Sequence, residues 1–482
     1  MKGSISSAES HFPVQGIKWN FLTWSLLCLV SGALFLDGID LSMVNIALPS
    51  INTELGLSTG QLQWIVNAYI LGYGGFLLLG GRVADLLGRR SVFLTAVAIF
   101  GVTSLISALM NDATALIALR FIKGISAGFT VPAGMSIVAT SFAQGPARSR
   151  ALTLYSVIGT LGFALGLVLG GGLTEFGWRV TLFVPGPVAL VIFLLGMKII
   201  PVASREKVTF AQFDLLGTLS MTGALLLLVY ALVEAPANGW SSRSTLLMFT
   251  MSAVLIVIFI RAEQRHQHPL VRLGILRSIS LLHANVSAAL LLGSFMAFQF
   301  VTTLYLQDSL GWSPLEVALA FLPSSLPITL LGPRMGALFA RKGTTFPIFL
   351  GLALVSIAYA LLLRAEPGMP YWSFLLPTML LVGFGFTFGF PAVNVQGTMN
   401  VRETEQGLAS GLINTSLQVG GAISLAIITA VLSSGNKPVI QGQLLPNMNA
   451  AIMTFAAIAV SGVVLTLIHL SVIKKVSQRK KP

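Results

Sequence analysis

Apolar runs of about twenty residues recur fourteen times along this 482-residue chain, and no other feature limits its fold so tightly. They lie at roughly 22–48, 61–81, 91–110, 113–137, 151–173, 181–200, 215–235, 245–261, 282–305, 315–333, 345–363, 373–395, 406–433 and 449–473. Each is long enough to cross a bilayer as a helix. A membrane strand needs only about ten residues and alternates in polarity, so these runs exclude a barrel. Composition agrees: 9% of residues are charged, against about 25% in a soluble domain. Mean hydropathy is +0.86. The expected fold class is an all-α membrane protein with fourteen transmembrane helices, multi-pass in the cell inner membrane.

The cations fix the expected topology. With a cytoplasmic N-terminus, 23 of the 29 Lys and Arg fall in inside segments, among them Arg82, Arg89, Arg90, Arg148, Arg341 and Lys342. Outside segments hold only Arg179, Arg243, Arg364 and Lys437. A miscounted span would invert every later loop and scramble this bias. Both termini are therefore expected in the cytoplasm. The net charge of +13 reads as topology, so no nucleic-acid partner is expected.

An internal repeat divides the chain. Leu55-Gly56-Leu57-Ser58 recurs as Leu310-Gly311-Trp312-Ser313, and Gly81 and Gly88 recur as Gly336 and Gly343, all at an offset of 255. Two six-helix bundles, residues 1–200 and 271–482, are expected to flank a two-helix insert at 201–270, an arrangement of 6+2+6. Parallel halves with a site at their interface form a transporter architecture.

Four charges fall where lipid should be. Asp37 and Asp40 lie in the first apolar segment, Arg120 and Lys123 in the fourth. A charge at the bilayer centre costs about 2.5–3.5 kcal/mol on insertion scales, so such residues are buried, paired or hydrated. Each pair is spaced i, i+3 and shares a helix face. At 1.5 Å per residue, Asp40 lies about 12 Å and Asp37 about 16 Å below the outer end; Arg120 and Lys123 lie about 10 Å and about 15 Å deep. Matching depths pair Asp40 with Arg120 and Asp37 with Lys123. Carboxylates poised between burial and nearby cations are candidate proton carriers.

Four stretches identify a family resemblance. Between the second and third segments, Gly81-Arg82-Val83-Ala84-Asp85-Leu86-Leu87-Gly88-Arg89-Arg90 resembles the signature loop of the major facilitator superfamily. Ile39-Asp40-Leu41-Ser42-Met43-Val44-Asn45-Ile46-Ala47-Leu48-Pro49 is similar to the first-helix motif of that superfamily's fourteen-span drug/proton antiporter branch. Arg120-Phe121-Ile122-Lys123-Gly124 resembles its fourth-helix motif, with Lys123 where glutamine is usual. Gly162, Gly166, Gly170 and Gly171 match the fifth-helix motif, in which Leu167 replaces a proline. The resemblance implies a cytoplasmic gate at Gly81, Asp85, Gly88, Arg89 and Arg90 and a coupling and substrate set of Asp40, Asn45, Arg120 and Lys123, to which the depth argument adds Asp37, outside the usual motif, as the counter-ion of Lys123.

Catalytic readings find no foothold. The chain has no Gly-x-x-x-x-Gly-Lys-Ser/Thr phosphate loop, no Gly-x-Ser-x-Gly and no His-Glu-x-x-His. Cys28 is the single cysteine, and His11, His266, His268, His283 and His469 form no ligand pair, so no metal or other cofactor is expected. The expected function is proton-coupled export of lipophilic, cationic drugs or toxic metabolites. The expected partners are the small lipophilic substrate, protons and the lipid bilayer; a membrane-fusion subunit would go with a tripartite form of the pump. The alternatives are a transporter with one dedicated cargo (a lipid, siderophore or biosynthetic product) and a non-transporting membrane sensor.

Overall fold

The computed structural model describes residues 21–142, 146–201, 214–266, 273–366, 369–399, 401, 406–434 and 440–479. Among them every regular element is helical. In order these are α1 (Phe21–Leu55), α2 (Thr59–Leu87), α3 (Arg89–Ser107), α4 (Ala113–Ser141), α5 (Pro146–Glu175), α6 (Trp178–Phe183), α7 (Pro185–Ile199), α8 (Leu215–Asn238) and α9 (Arg243–Arg265). The second part holds α10 (Ile279–Leu304), α11 (Pro314–Phe321), α12 (Leu326–Leu331), α13 (Met335–Lys342), α14 (Thr345–Leu362), α15 (Tyr371–Met399), α16 (Gln406–Ser433) and α17 (Met448–Arg479). Among the described residues, thirteen spans are long and apolar enough to cross a membrane, with α6 and α7 forming one of them.

The expected tenth span, 315–333, is not one continuous helix. Helix α11 gives way to a 3-10 turn at Leu322–Ser325, and α12 to another at Gly332–Arg334. Pro323 and Pro333 sit at these breaks. Proline has no N–H to donate and its ring clashes with the preceding turn, so the ladder is interrupted where each occurs.

The repeat read from sequence recurs as local structure. Gly56 and Gly311 both end their helices with positive φ, 62° and 69°. Two residues later, Ser58 and Ser313 each cap the next helix in a reciprocal capping box, with Gln61 and Glu316 as partners. Gly88 and Gly343 carry positive φ of 96° and 70° where helices stop and restart, a conformation that disfavours any residue with a Cβ.

Small residues set the helix spacing. A Cβ on Gly124 would lie 2.1 Å from the Tyr69 carbonyl oxygen, and one on Gly80 2.2 Å from that of Gly128, so α2 and α4 touch backbone to backbone. Lipid tails are as apolar as leucine, so packing closeness rather than apolar burial holds such helices together. Helix α8 lies against α2 and α16, with the Thr222 hydroxyl donating to the Gly75 carbonyl at 3.3 Å. Helix α9 presents Leu246, Leu247, Met251, Val254 and Val257 outward, an apolar surface suited to lipid.

Candidate functional site

The α2–α4 glycine contact brings a charged cluster together inside the first bundle. Gly72, Gly124 and Gly128 let the two backbones approach, which sets Tyr69 of α2 beside Arg120 and Lys123 of α4. Asp40 on α1 accepts from both Arg120 and Lys123. All three side chains are 1% exposed. The Arg120 Nε donates to the Ile65 carbonyl at 3.0 Å. Its guanidinium lies 4.4 Å from the Tyr69 ring centre, and the Lys123 ammonium lies 4.4 Å from that of Phe100. Asp37, also buried, accepts from the Tyr69 hydroxyl.

The depth argument thus paired Asp40 with Arg120 as found, but Lys123 turns to Asp40 rather than Asp37. Both cations sit one helical turn apart on α4, and a single carboxylate with two oxygens accepts one from each. Asp37, one turn earlier on α1, meets a neutral hydroxyl instead. It also lines a small cavity with Val97, Phe100 and Thr130. Asn45 is buried on α1, yet its amide donates to Leu41 of its own helix at 2.8 Å, outside the ionic set. Tyr69 and Phe100 were not legible as site residues, because an aromatic in an apolar run carries no mark of its own. The glycine at 124 was the available signal for what faces it.

The fifth-helix glycines form two contacts. A Cβ on Gly162 would lie 2.4 Å from the Phe35 carbonyl oxygen, one on Gly166 2.1 Å from the Ser42 hydroxyl and one on Gly170 2.7 Å from the Met43 Cα, so these three seat α5 on α1. Gly171 instead meets Leu315 and Ala318 of α11, joining the two halves of the repeat. Leu167, in the proline's place, is buried. In the signature loop, Gly81 lies 3.6 Å (from its Cβ position) from Pro132, and Arg90 donates to the Met197 carbonyl at 2.5 Å. The Asp85 side chain falls outside the described residues.

Two further constellations appear. Where α1 meets α6, Glu54 accepts from the Trp178 indole at 2.7 Å and from Arg179. Arg179 also donates to Asn111 at 2.6 Å. In the second half, His283 and His469 stack with ring centres 4.2 Å apart; His283 also bonds Gln396 at 2.6 Å. The two lie 186 residues apart, on α10 and α17, so nothing in the sequence joins them. A larger cavity, about 700 Å³, opens on the flank of α2, α3 and α4 and is lined by Leu87, Thr95, Ile99, Ile122 and Phe129. The charged cluster does not line it.

Comparison with known proteins gives a consistent answer. Residues 30–425 match the model of the Major Facilitator Superfamily. The chain is 36% identical over 417 residues to the puromycin resistance protein pur8 of Streptomyces alboniger, covering 85% of this chain and 81% of that protein. It is 32% identical to the cephamycin export protein CmcT of Amycolatopsis lactamdurans, over 85% of each. It is 31% identical to the lincomycin resistance protein of Streptomyces lincolnensis, over 85% of this chain and 84% of that one. Among solved structures, the POT family transporter PepTSo superposes with a TM-score of 0.68 at 18% identity, covering 95% of this chain and 99% of that chain. That likeness bears on fold alone.

Proposed function

From the premise that the chain belongs to the major facilitator superfamily, and is a multi-pass membrane transporter rather than an enzyme, we propose that it is a proton-coupled antiporter exporting lipophilic small molecules. The observation that carries this reading is the buried cluster of Asp40, Arg120 and Lys123 with Asp37 and Tyr69 beside it. Charges this deep are expensive and mark ion pathways. Relatives named for puromycin and lincomycin resistance and for cephamycin export support outward movement of drug-like cargo.

The architecture that goes with this function has fourteen spans as 6+2+6, the interrupted α11–α13 stretch supplying the fourteenth. Residues 1–200 and 271–482 form the two bundles, residues 201–270 the insert, and both termini are cytoplasmic. Alternating access rocks one bundle against the other about a site at their seam. Asp37 and Asp40 exchange the proton, with Arg120 and Lys123 holding the local charge balance and Asn45 facing the cargo path. Gly81, Asp85, Gly88, Arg89 and Arg90 work the cytoplasmic gate. Gly162, Gly166 and Gly170 keep α5 seated on α1 while Gly171 closes on α11.

A proteoliposome assay tests this directly. With an imposed pH gradient, wild-type protein is expected to move ethidium uphill, and Asp40→Asn to lose that movement. Transport that ignores the gradient in wild type, or survives in Asp40→Asn, would overturn proton coupling through this cluster. A narrow response, with one cargo moved and others refused, would point to the dedicated-cargo reading.

A further inference from the structure

Buried side-chain amides normally find partners, because leaving them unpaired in a low-dielectric interior costs the full desolvation of the group. Among the described residues, the buried amide atoms without a partner belong to Gln63, Asn67 and Gln299. Gln63 and Asn67 are one turn apart on α2, and the Asn67 Nδ2 donates across to the Ala422 carbonyl of α16 at 3.1 Å. Both therefore lie on the α2 face turned to the second half. Gln299 is the extreme case on the other side: it is 0% exposed, and both its Nε2 and its Oε1 lack partners.

The face of α10 that carries Gln299 meets the first half. One turn earlier, the Phe295 ring lies 6.0 Å from that of Phe163 on α5 and 4.7 Å from that of Phe386 on α15. Beyond the end of α10, in the π turn Tyr305–Ser309, Gln307 donates to the Ile46 carbonyl of α1 at 3.0 Å. Residues three or four apart share a helix face, so Gln299 shares the face of Phe295 and lies, along the chain, between these two cross-half contacts. Its position on α10 thus sets Gln299 at the seam that alternating access must open, one turn from a phenylalanine whose ring meets rings of both halves. Small-molecule sites have this make-up, apolar and aromatic walls with a few placed polar groups.

We propose that Gln299 reads the cargo: its carboxamide makes a donor–acceptor pair with an amide-type group on a lipophilic molecule whose ring lies against Phe163, Phe295 and Phe386. This rests on the exporter reading above and adds the cargo's chemistry to it. A site built around an amide discriminates against an analogue without hydrogen-bonding groups, since that analogue leaves the carboxamide unpaired. The same logic makes the residue a burden to the empty protein, which an apolar side chain of similar length relieves.

The test compares wild type, Gln299→Met and Gln299→Asn with two probes. Puromycin carries an amide and aromatic rings; tetraphenylphosphonium carries four phenyl rings and no hydrogen-bonding group. Binding is read by tryptophan quenching of purified protein, transport in proteoliposomes, and stability by melting temperature. Gln299→Met is expected to raise the puromycin Kd and KM about tenfold, the scale of one lost hydrogen bond. It should leave tetraphenylphosphonium unchanged and the melting temperature equal or higher, with Gln299→Asn in between. Unchanged puromycin binding, equal losses for both probes, or a wild type that binds neither would overturn the assignment. If the wild type binds puromycin through Gln299 yet moves neither probe, the export reading falls and the assignment stands.

Discussion

The two halves of this protein share their helix starts and stops but not their interiors. Ser58 and Ser313 cap their helices with the same reciprocal box, and Gly88 and Gly343 both turn the chain at positive φ. Inside, the first half buries Asp37, Asp40, Arg120 and Lys123. Among the described residues of the second half, no Asp, Glu, Lys or Arg is buried. Its centre is aromatic, with Phe298 ringed by Phe321, Tyr359 and Phe455 at 6.0, 5.3 and 6.2 Å. Caps and turns specify where helices go, while the residues facing inward are free to differ. One scaffold can thus carry ionic chemistry in one copy and packing in the other.

The comparison breaks most easily at Asp40. Asp40→Asn strands two buried cations, and removing one partner of a buried ion pair costs about 3–5 kcal/mol. The expected outcome is a large drop in melting temperature together with loss of gradient-driven transport. Phe298→Ala in the second half should cost less, up to about 3 kcal/mol, because lipid removes much of the transfer term and leaves the cavity. Its signature is lower stability with the pH dependence of transport unchanged. Equal effects of the two substitutions on coupling would erase the proposed division of labour.

Gly124→Ala comes next. The added methyl would meet the Tyr69 carbonyl oxygen at 2.1 Å, and overpacking of this kind costs about 1–3 kcal/mol. Gly172→Ala, with nothing within 4 Å of its Cβ position, serves as the neutral comparison in the same melting assay. The smallest effect belongs to Glu54→Gln. Glu54 and Arg179 are 50% and 32% exposed, and exposed ion pairs contribute about 0–1 kcal/mol. Its melting temperature should move little, and raising salt should narrow even that difference.

Much of this was legible in the sequence because its determinants are local or periodic. Helix positions follow from apolar length, and the repeat from a fixed offset of glycines and serines. The four buried charges announce themselves by standing in apolar runs. The interrupted stretch from Pro314 to Lys342 escaped detection because hydropathy counts apolar residues and ignores whether Pro323 and Pro333 leave the backbone ladder whole. The pairing of Lys123 escaped for a different reason. Axial depth is only one coordinate, and the rotation of α4 relative to α1 decides which carboxylate a cation reaches. Tyr69 and the His283–His469 stack depend on contacts across long stretches of chain, which composition and spacing do not encode. The Gln299 amide was visible as a polar residue in an apolar run; only its lack of partners sets it apart.

The ionic cluster also has a history within each molecule's synthesis. Asp40 precedes Arg120 by 80 residues and Lys123 by 83. At about 5–20 residues per second of translation, helix α1 waits about 4–16 seconds before its counter-ions leave the ribosome. During that interval Asp40 stands at membrane depth without either cation, where a charge costs about 2.5–3.5 kcal/mol on insertion scales. The birth order of the helices therefore leaves α1 to carry that cost alone until α4 brings the two cations to Asp40.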